Sequence, residues 1–325
     1  MRPYGYTVVD TVAAATSHGG SAKEYLAGGT TLVDLMKLEV LTPEQVVDIN
    51  GLPLTGITVG AAGLRIGALE RMSDVAEHPS VRSDFSLVSQ ALELSASPQL
   101  RNMASMGGNL LQRTRCSYFR DISMPCNKRN PGTGCPAIDG YNRAHAVLGT
   151  SDACVATHAS DVAVALVAAE ASVELSSSDG ERSVALEQFY RKPGMTPEVE
   201  SELKPGELIT AITAPRFPEG TRTGYLKVRD RQSYEFALTS VAVAITLRDN
   251  VITRARLAAG GVATVPWRLP EVENLLTNRP ATAVTIDAAA DAAAADARPL
   301  SHNSFKPHLL RRAIVRALTD VAGIA

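Results

Sequence analysis

The sequence predicts an α+β chain built from two small α/β units and a C-terminal α+β unit. Three observations carry this expectation. Short β-branched runs alternate with helical runs over residues 1–55 and again over 56–220. A polar, Gly/Pro-rich stretch at 113–154 interrupts the second unit and holds all four cysteines. From residue 221 to 325 a paired-strand pattern precedes two helical runs.

In the first unit, Tyr6–Val9, Tyr25–Ala27 and Val46–Ile49 read as strands, with helices expected over Thr11–His18 and from Leu32 to Lys37. The second unit opens with β runs at Ile57–Val59 and Leu64–Ile66, then helices at Ser73–Ala76 and Phe85–Leu94. Residues Arg101–Asn109 read as a glycine-bearing turn. After the cysteine stretch, Val162–Ala171 reads as a helix with Asp161 as its N-cap, and a hairpin follows around Ser178-Asp179-Gly180. In the third unit, Val241–Leu247 and Val251–Leu257 pair across Asp249-Asn250. Ala288–Ala297 is helix-prone, with Asp287 as its cap, and Pro307–Val321 repeats apolar residues at helical spacing.

The 325 residues suit two or three domains, and 45% hydrophobic with 20% charged residues is ordinary globular composition. A net charge of −2 argues against nucleic acid as a main partner. No window of about 18 apolar residues appears, so no membrane insertion is expected. The first residues lack a charged and then apolar leader pattern. The expected location is the cytoplasm, with periplasmic co-export beside a signal-bearing partner as the alternative.

Two glycine loops stand out. Ala27-Gly28-Gly29-Thr30-Thr31 lies between a strand and a helix, where glycine permits close backbone approach and the helix start suits a diphosphate. Ser105-Met106-Gly107-Gly108-Asn109 presents consecutive N–H groups to an anion. Either alone reads equally as a plain turn; two in an α/β setting favour a dinucleotide between subdomains. Neither is a G-x-G-x-x-G or Walker A loop.

The cysteines run Cys116-x9-Cys126-x8-Cys135-x18-Cys154. Zinc ribbons use tight C-x2-4-C pairs, and none exists here. Well-separated thiolates on one irregular loop suit a [4Fe–4S] cubane, with zinc, disulfides or free thiols as the alternatives. Arg113, Arg115, Arg120, Lys128 and Arg129 surround the quartet and would offset a thiolate-ligated cluster; a solvated basic loop is the plain alternative. His145 and His158 lie nearby and read as structural rather than as ligands.

The order Ala27-Gly28-Gly29-Thr30, Ile66-Gly67-Ala68-Leu69, Ser105-Met106-Gly107-Gly108-Asn109, Ser160-Asp161 and Tyr225-Leu226-Lys227-Val228-Arg229 resembles the FAD-binding subunits of the xanthine dehydrogenase and CO dehydrogenase family of molybdenum hydroxylases. With its cysteine loop, the chain is most similar to the flavoprotein subunit of periplasmic-type aldehyde oxidoreductases. Hydroxybenzoyl-CoA reductase carries a comparable insertion, so the loop does not name a substrate. The resemblance implies a vanillyl-alcohol-oxidase-like (PCMH-type) fold of two FAD-binding subdomains, at 1–55 and 56–220, and a CO-dehydrogenase-flavoprotein-like C-terminal domain at 221–325. It implies that Leu26, Ala27, Gly28, Gly29, Thr30, Thr31 and Leu32 cradle the FAD diphosphate, and that Ser105, Gly108 and Asn109 form a second wall. Asp161 would meet the ribityl or diphosphate region, and Ile209 and Lys227 would lie near the flavin. Ser105-Met106 replaces the family's usual Thr-Ile and keeps the hydroxyl. The implied complex is a heterotrimer, alone or dimerised, with a molybdenum-cofactor large subunit and a [2Fe–2S] small subunit. This chain would pass electrons through FAD to an external acceptor. A zinc-stapled scaffold and a stand-alone flavin oxidase are the competing readings.

Overall fold

The structure is a computed structural model that describes residues 1–17 and 23–324. It contains three sheets, one in each expected unit. The first is a parallel sheet of β1 (Gly5–Val8), β2 (Lys23–Leu26) and β3 (Gln45–Asp48), ordered β1-β3-β2. Its parallel pairs need crossovers, two of which are the helices α1 (Val12–Ser17) and α2 (Leu32–Lys37). The end of the expected first helix, His18, lies outside the described residues. Val9, Ala15, Val47, Ile49 and Leu52 bury against Leu69 and Leu208, which seats this unit on the next.

The second sheet is antiparallel: β4 (Ile57–Gly60), β5 (Gly63–Gly67), β6 (Ser172–Ser177), β7 (Gly180–Ala185) and β8 (Leu208–Ala214), in the order β4-β5-β8-β6-β7. Between β5 and β6 come α3 (Met72–Glu77), α4 (Pro79–Asp84), α5 (Ser86–Glu93), α6 (Pro98–Arg101), α7 (Met106–Leu110), α8 (Ser117–Arg120) and α9 (Asp161–Ala168); α10 (Leu186–Phe189) follows β7. Every residue of α9 is buried, as an almost uniformly apolar helix requires.

The third sheet runs β12 (Trp267–Arg268), β11 (Val251–Gly260), β10 (Thr239–Arg248), β9 (Thr221–Val228), with β13 (Arg279–Pro280) also on β11. The β10–β11 turn places Asp249 and Asn250 at φ 48° and 61°, the left-handed pair that a tight hairpin demands. Ala242 of β10 joins the α5–α9 core, while Val241, Val243 and Ile245 join the core under the C-terminal helices. This strand is therefore covered on both faces, which explains its unbroken apolar sequence. The covering helices are α11 (Pro270–Leu276), α12 (Ala283–Ala290) and α13 (Lys306–Ala322). Leu310, Ala313, Ile314, Ala317 and Leu318 of α13 are buried, as their spacing requires.

Four local expectations are corrected. Within the expected turn at 101–109, residues Met106–Leu110 are helical, because Ser105 caps them by accepting from Gly108 N at 3.2 Å. Ser160, not Asp161, caps α9, accepting from Ala163 N at 3.0 Å and leaving the Asp161 carboxylate free for other partners. That helix also ends at Ala168, before Glu170 at φ 55°. The alanine-rich helix starts earlier than composition suggests, because Thr282 caps it through Thr285 N at 3.3 Å; Asp287 sits inside it and pairs with Arg311 at 2.8 Å.

Candidate functional site

The two glycine loops are built against each other. A Cβ on Gly28 would lie 1.9 Å from the Met103 carbonyl oxygen, so only glycine lets the first loop touch the backbone that leads into the second. Gly29 adopts φ +72°. Beneath the second loop lies the Gly67-Ala68-Leu69 segment, with Gly107 N donating to Ala68 O at 2.8 Å and Met106 N to Glu70 O at 2.9 Å. Ser160 Oγ donates to Asn109 Oδ1 at 2.5 Å, tying the loop to the start of α9.

Openings flank this junction. A cleft of about 1220 Å³ is lined by Thr30, Thr31, Gly108, Asn109 and Asp161, with Ser95, Ala96, Arg115, Tyr234 and Phe236 around them. A smaller cavity of about 430 Å³ is lined by Ala27, Ser105, Gly108 and Ile209, with Tyr25, Leu69 and Leu203. Gly108 bounds both. Leu26 and Leu32 instead pack into the small core with Met36 and Val46. Lys227 lines neither opening. Its side chain is 1% exposed, and Nζ donates to Asp161 Oδ2 at 2.8 Å and to Leu94 O at 3.0 Å. Tyr225 OH donates to Asp161 Oδ1 at 2.8 Å, and Ser95 Oγ to Oδ2 at 3.3 Å. The expected site residues thus separate into loop backbone, cleft-lining side chains and a buried support behind Asp161.

All four cysteines are free and line one small cavity. Burial pushes the Cys116 thiol up to about 12 and raises Cys135 and Cys154, while backbone N–H groups act in the opposite direction. These come from Phe119 and Tyr118 toward Cys116, from Val155, Ala137 and Ile138 toward Cys135, and from Ala156 toward Cys154. Among the described residues, no three His, Cys, Asp or Glu side chains converge as ligands of one ion.

The basic residues of this stretch all have polar partners, and Lys128 also acts on Cys154, where its charge favours the thiolate. Arg115 and Arg120 pair with Asp34 at 3.0 and 2.9 Å, and Lys128 pairs with Glu200 at 2.8 Å. Arg113 also pairs with Glu200. Arg129 donates to the carbonyls of Tyr118, Phe119 and Met124. These cations hold the stretch to α2 and to residues 197–200. Nothing in the sequence pointed to Asp34 or Glu200 as their partners.

His145 departs from a purely structural placement, since its Nε2 lies 3.2 Å from Cys116 Sγ. Burial lowers its pKa to about 4. His158 is likewise lowered to about 4 by burial, and its Nδ1 accepts from Ser160 N at 3.3 Å. A third opening of about 1150 Å³ touches Cys116 and His145 on one side and Asp161 and Phe236 on the other, so it joins the cysteine site to the cleft.

Residues 3–217 match the family described as the FAD binding domain in molybdopterin dehydrogenase, and residues 224–321 match the CO dehydrogenase flavoprotein C-terminal domain. The chain is 47% identical over 324 residues to the aldehyde oxidoreductase FAD-binding subunit of Escherichia coli (strain K12), covering 98% of each. It is 31% identical over 296 residues to the glyceraldehyde dehydrogenase medium chain of Sulfolobus acidocaldarius, covering 90% of this chain and 87% of that one. The solved structure of carbon monoxide dehydrogenase from Hydrogenophaga pseudoflava matches with a TM-score of 0.77 at 26% identity over 99% of both chains. The chain therefore belongs to the FAD-binding subunits of the molybdopterin dehydrogenases, a family of oxidoreductase flavoproteins. That membership sets aside the scaffold and stand-alone oxidase readings.

Proposed function

We propose that this chain is the electron-transfer subunit of a heterotrimeric molybdenum hydroxylase that oxidises aldehydes. It takes electrons from a molybdenum-cofactor large subunit by way of a [2Fe–2S] small subunit and passes them to an external acceptor. It carries FAD in the glycine-loop cleft and a [4Fe–4S] cluster on Cys116, Cys126, Cys135 and Cys154. The carrying observation is the four free cysteines around one cavity, beside that cleft. The aldehyde class is supported by the 47% identical relative, which is an aldehyde oxidoreductase subunit. When bound, FAD supplies one- and two-electron chemistry and a cubane one-electron chemistry.

The chain's residues divide the work. Leu26 and Leu32 anchor the first loop in its core, while Ala27, Gly28 and Gly29 bring backbone up to the diphosphate. Thr30 and Thr31 offer hydroxyls to it. Ser105, Gly108 and Asn109 form the opposite wall, and Ile209 closes the smaller cavity at one end of the dinucleotide. Asp161 meets the other part of the dinucleotide in the larger cleft. Lys227 and Tyr225 fix the direction of that carboxylate from behind.

Anaerobic mixing of the whole complex with an aldehyde is the test. Bleaching of the flavin bands, together with a reduced [4Fe–4S] EPR signal distinct from the partner's [2Fe–2S] signals and lost in Cys126→Ala, supports the assignment. A complex turning over aldehyde while this chain's flavin stays oxidised contradicts it.

A further inference from the structure

We infer that His145 is a positioning residue for the cysteine site: its Nε2–H donates to Cys116 Sγ and raises the reduction potential of the centre held there. The inference rests on the cluster assignment proposed above.

The contact is 3.2 Å, within reach of an N–H···S bond, and His145 is 6% exposed, so bulk water has little access to it. A metal-bound thiolate has no proton and accepts only; the shared hydrogen must then sit on Nε2. That tautomer leaves Nδ1 as a bare acceptor, and Nδ1 has no partner among the described residues. The opposite tautomer would bury an orphaned N–H, the rarer defect, and would aim a lone pair at the thiolate.

The backbone that carries the ring is held by Asn303 and Lys306 from outside the cysteine stretch and by Asn142 from within it. Asn303 Nδ2 donates to His145 O at 3.3 Å, and Lys306 Nζ donates to Ala144 O at 3.1 Å. Asn142 Nδ2, with two hydrogens, lies within hydrogen-bond reach of Ala137 O, Ile138 O and Gly140 O, and Oδ1 accepts from His302 N at 2.9 Å. Asn142, Asn303 and Lys306 are all 0% exposed. Their hydrogen bonds to backbone offset the cost of burying these three polar side chains and hold the segment in place. The segment fixed is the one that aims the imidazole.

Cys116 is also the cysteine that borders the opening shared with Asp161 and Phe236. One-electron reduction adds a negative charge to the cluster, and an N–H directed at a ligand sulfur stabilises that charge. Removing it lowers the potential of the ligand set nearest the flavin cleft.

The experiment is an anaerobic redox titration of the complex, followed by low-temperature EPR and visible absorption, with His145→Leu and His145→Gln in this chain. Gln keeps an N–H donor near the position of Nε2. We expect His145→Leu, with full iron and sulfide, to lower the cluster midpoint by about a tenfold change in the reduced-to-oxidised ratio, ~59 mV for a one-electron couple. His145→Gln stays closer to wild type, and the flavin midpoint does not move. An iron-loaded His145→Leu chain with the wild-type cluster midpoint overturns the inference alone. If the Leu chain loses its iron, the Gln chain decides: a cluster near the wild-type midpoint supports the hydrogen bond, and iron loss in both overturns it. A wild-type complex with no cluster signal beyond those of the partner's [2Fe–2S] centres overturns the inference and the cluster assignment together.

Discussion

Gly28 and Asp161 show how single positions shape the cleft. A methyl group on Gly28 meets backbone rather than a movable side chain, so the two glycine loops must part to admit it. Gly28→Ala should cost on the order of 1–3 kcal/mol as an overpacked contact and should lower the flavin content of the purified chain, read from absorbance after denaturation. Full flavin with an unchanged melting temperature would show that the loops tolerate separation. Behind Asp161, the Lys227 ammonium is nearly inaccessible, and removing it strands a buried carboxylate on Tyr225 and Ser95. Lys227→Met should destabilise by roughly 3–5 kcal/mol, as breaking one side of a buried pair does. Pairing it with Asp161→Asn should return part of that loss in a urea titration; two additive losses would mean the residues act separately. At this scale the sequence was informative where backbone conformation demanded a residue type. Both glycine loops, Asn109 and Asp161 stand out in the sequence, and Thr30, Thr31, Gly108, Asn109 and Asp161 line one cleft. The sequence did not show that Asp161 is turned away from capping, because Ser160 competes for the same backbone donors and wins by one position.

Elements were legible where apolar periodicity was strong. The strands of the first unit, the β6–β7 and β10–β11 hairpins and α13 lie close to where their patterns placed them. Capping decided the misses: Ser105 turned a glycine pair into a short helix, and Thr282 moved the start of an alanine-rich one. Contacts between distant segments left no sequence signal. Asp34 receives Arg115 and Arg120, and Glu170, in the left-handed position after α9, receives Arg254 and Arg256 from β11. Burial pushes the Glu170 carboxyl up, and the two guanidinium groups more than reverse this, leaving it below the usual carboxylate range. A carboxyl lowered in the folded state contributes stability above its unfolded pKa, near 4.5, and loses it as pH falls through the folded value. Melting temperature should therefore drop more gently below about pH 4.5 in Glu170→Gln than in the wild type. Parallel acid profiles would mean that this tie between α9 and the third sheet adds nothing.

For the whole molecule, the third sheet serves two cores, and the cysteine stretch is fastened to its neighbours by half-exposed ion pairs and by the buried polar side chains Asn142 and Lys306. Ion pairs join it to α2 and to residues 197–200, and Asn142 and Lys306 join it to the start of α13. A segment so irregular gains fixed geometry from these ties, and its four sulfurs share one cavity. No helix among the described residues is long and apolar enough to cross a membrane. The central claim is that one chain carries both FAD and a cysteine-held cluster. Quantifying flavin, iron and acid-labile sulfide in the anaerobically purified full chain tests it most directly, alongside a Cys126→Ala, Cys135→Ala double variant. The account predicts about four irons and four sulfides per FAD, lost in the double variant while flavin remains. Flavin without iron or sulfide in the wild-type chain would contradict it.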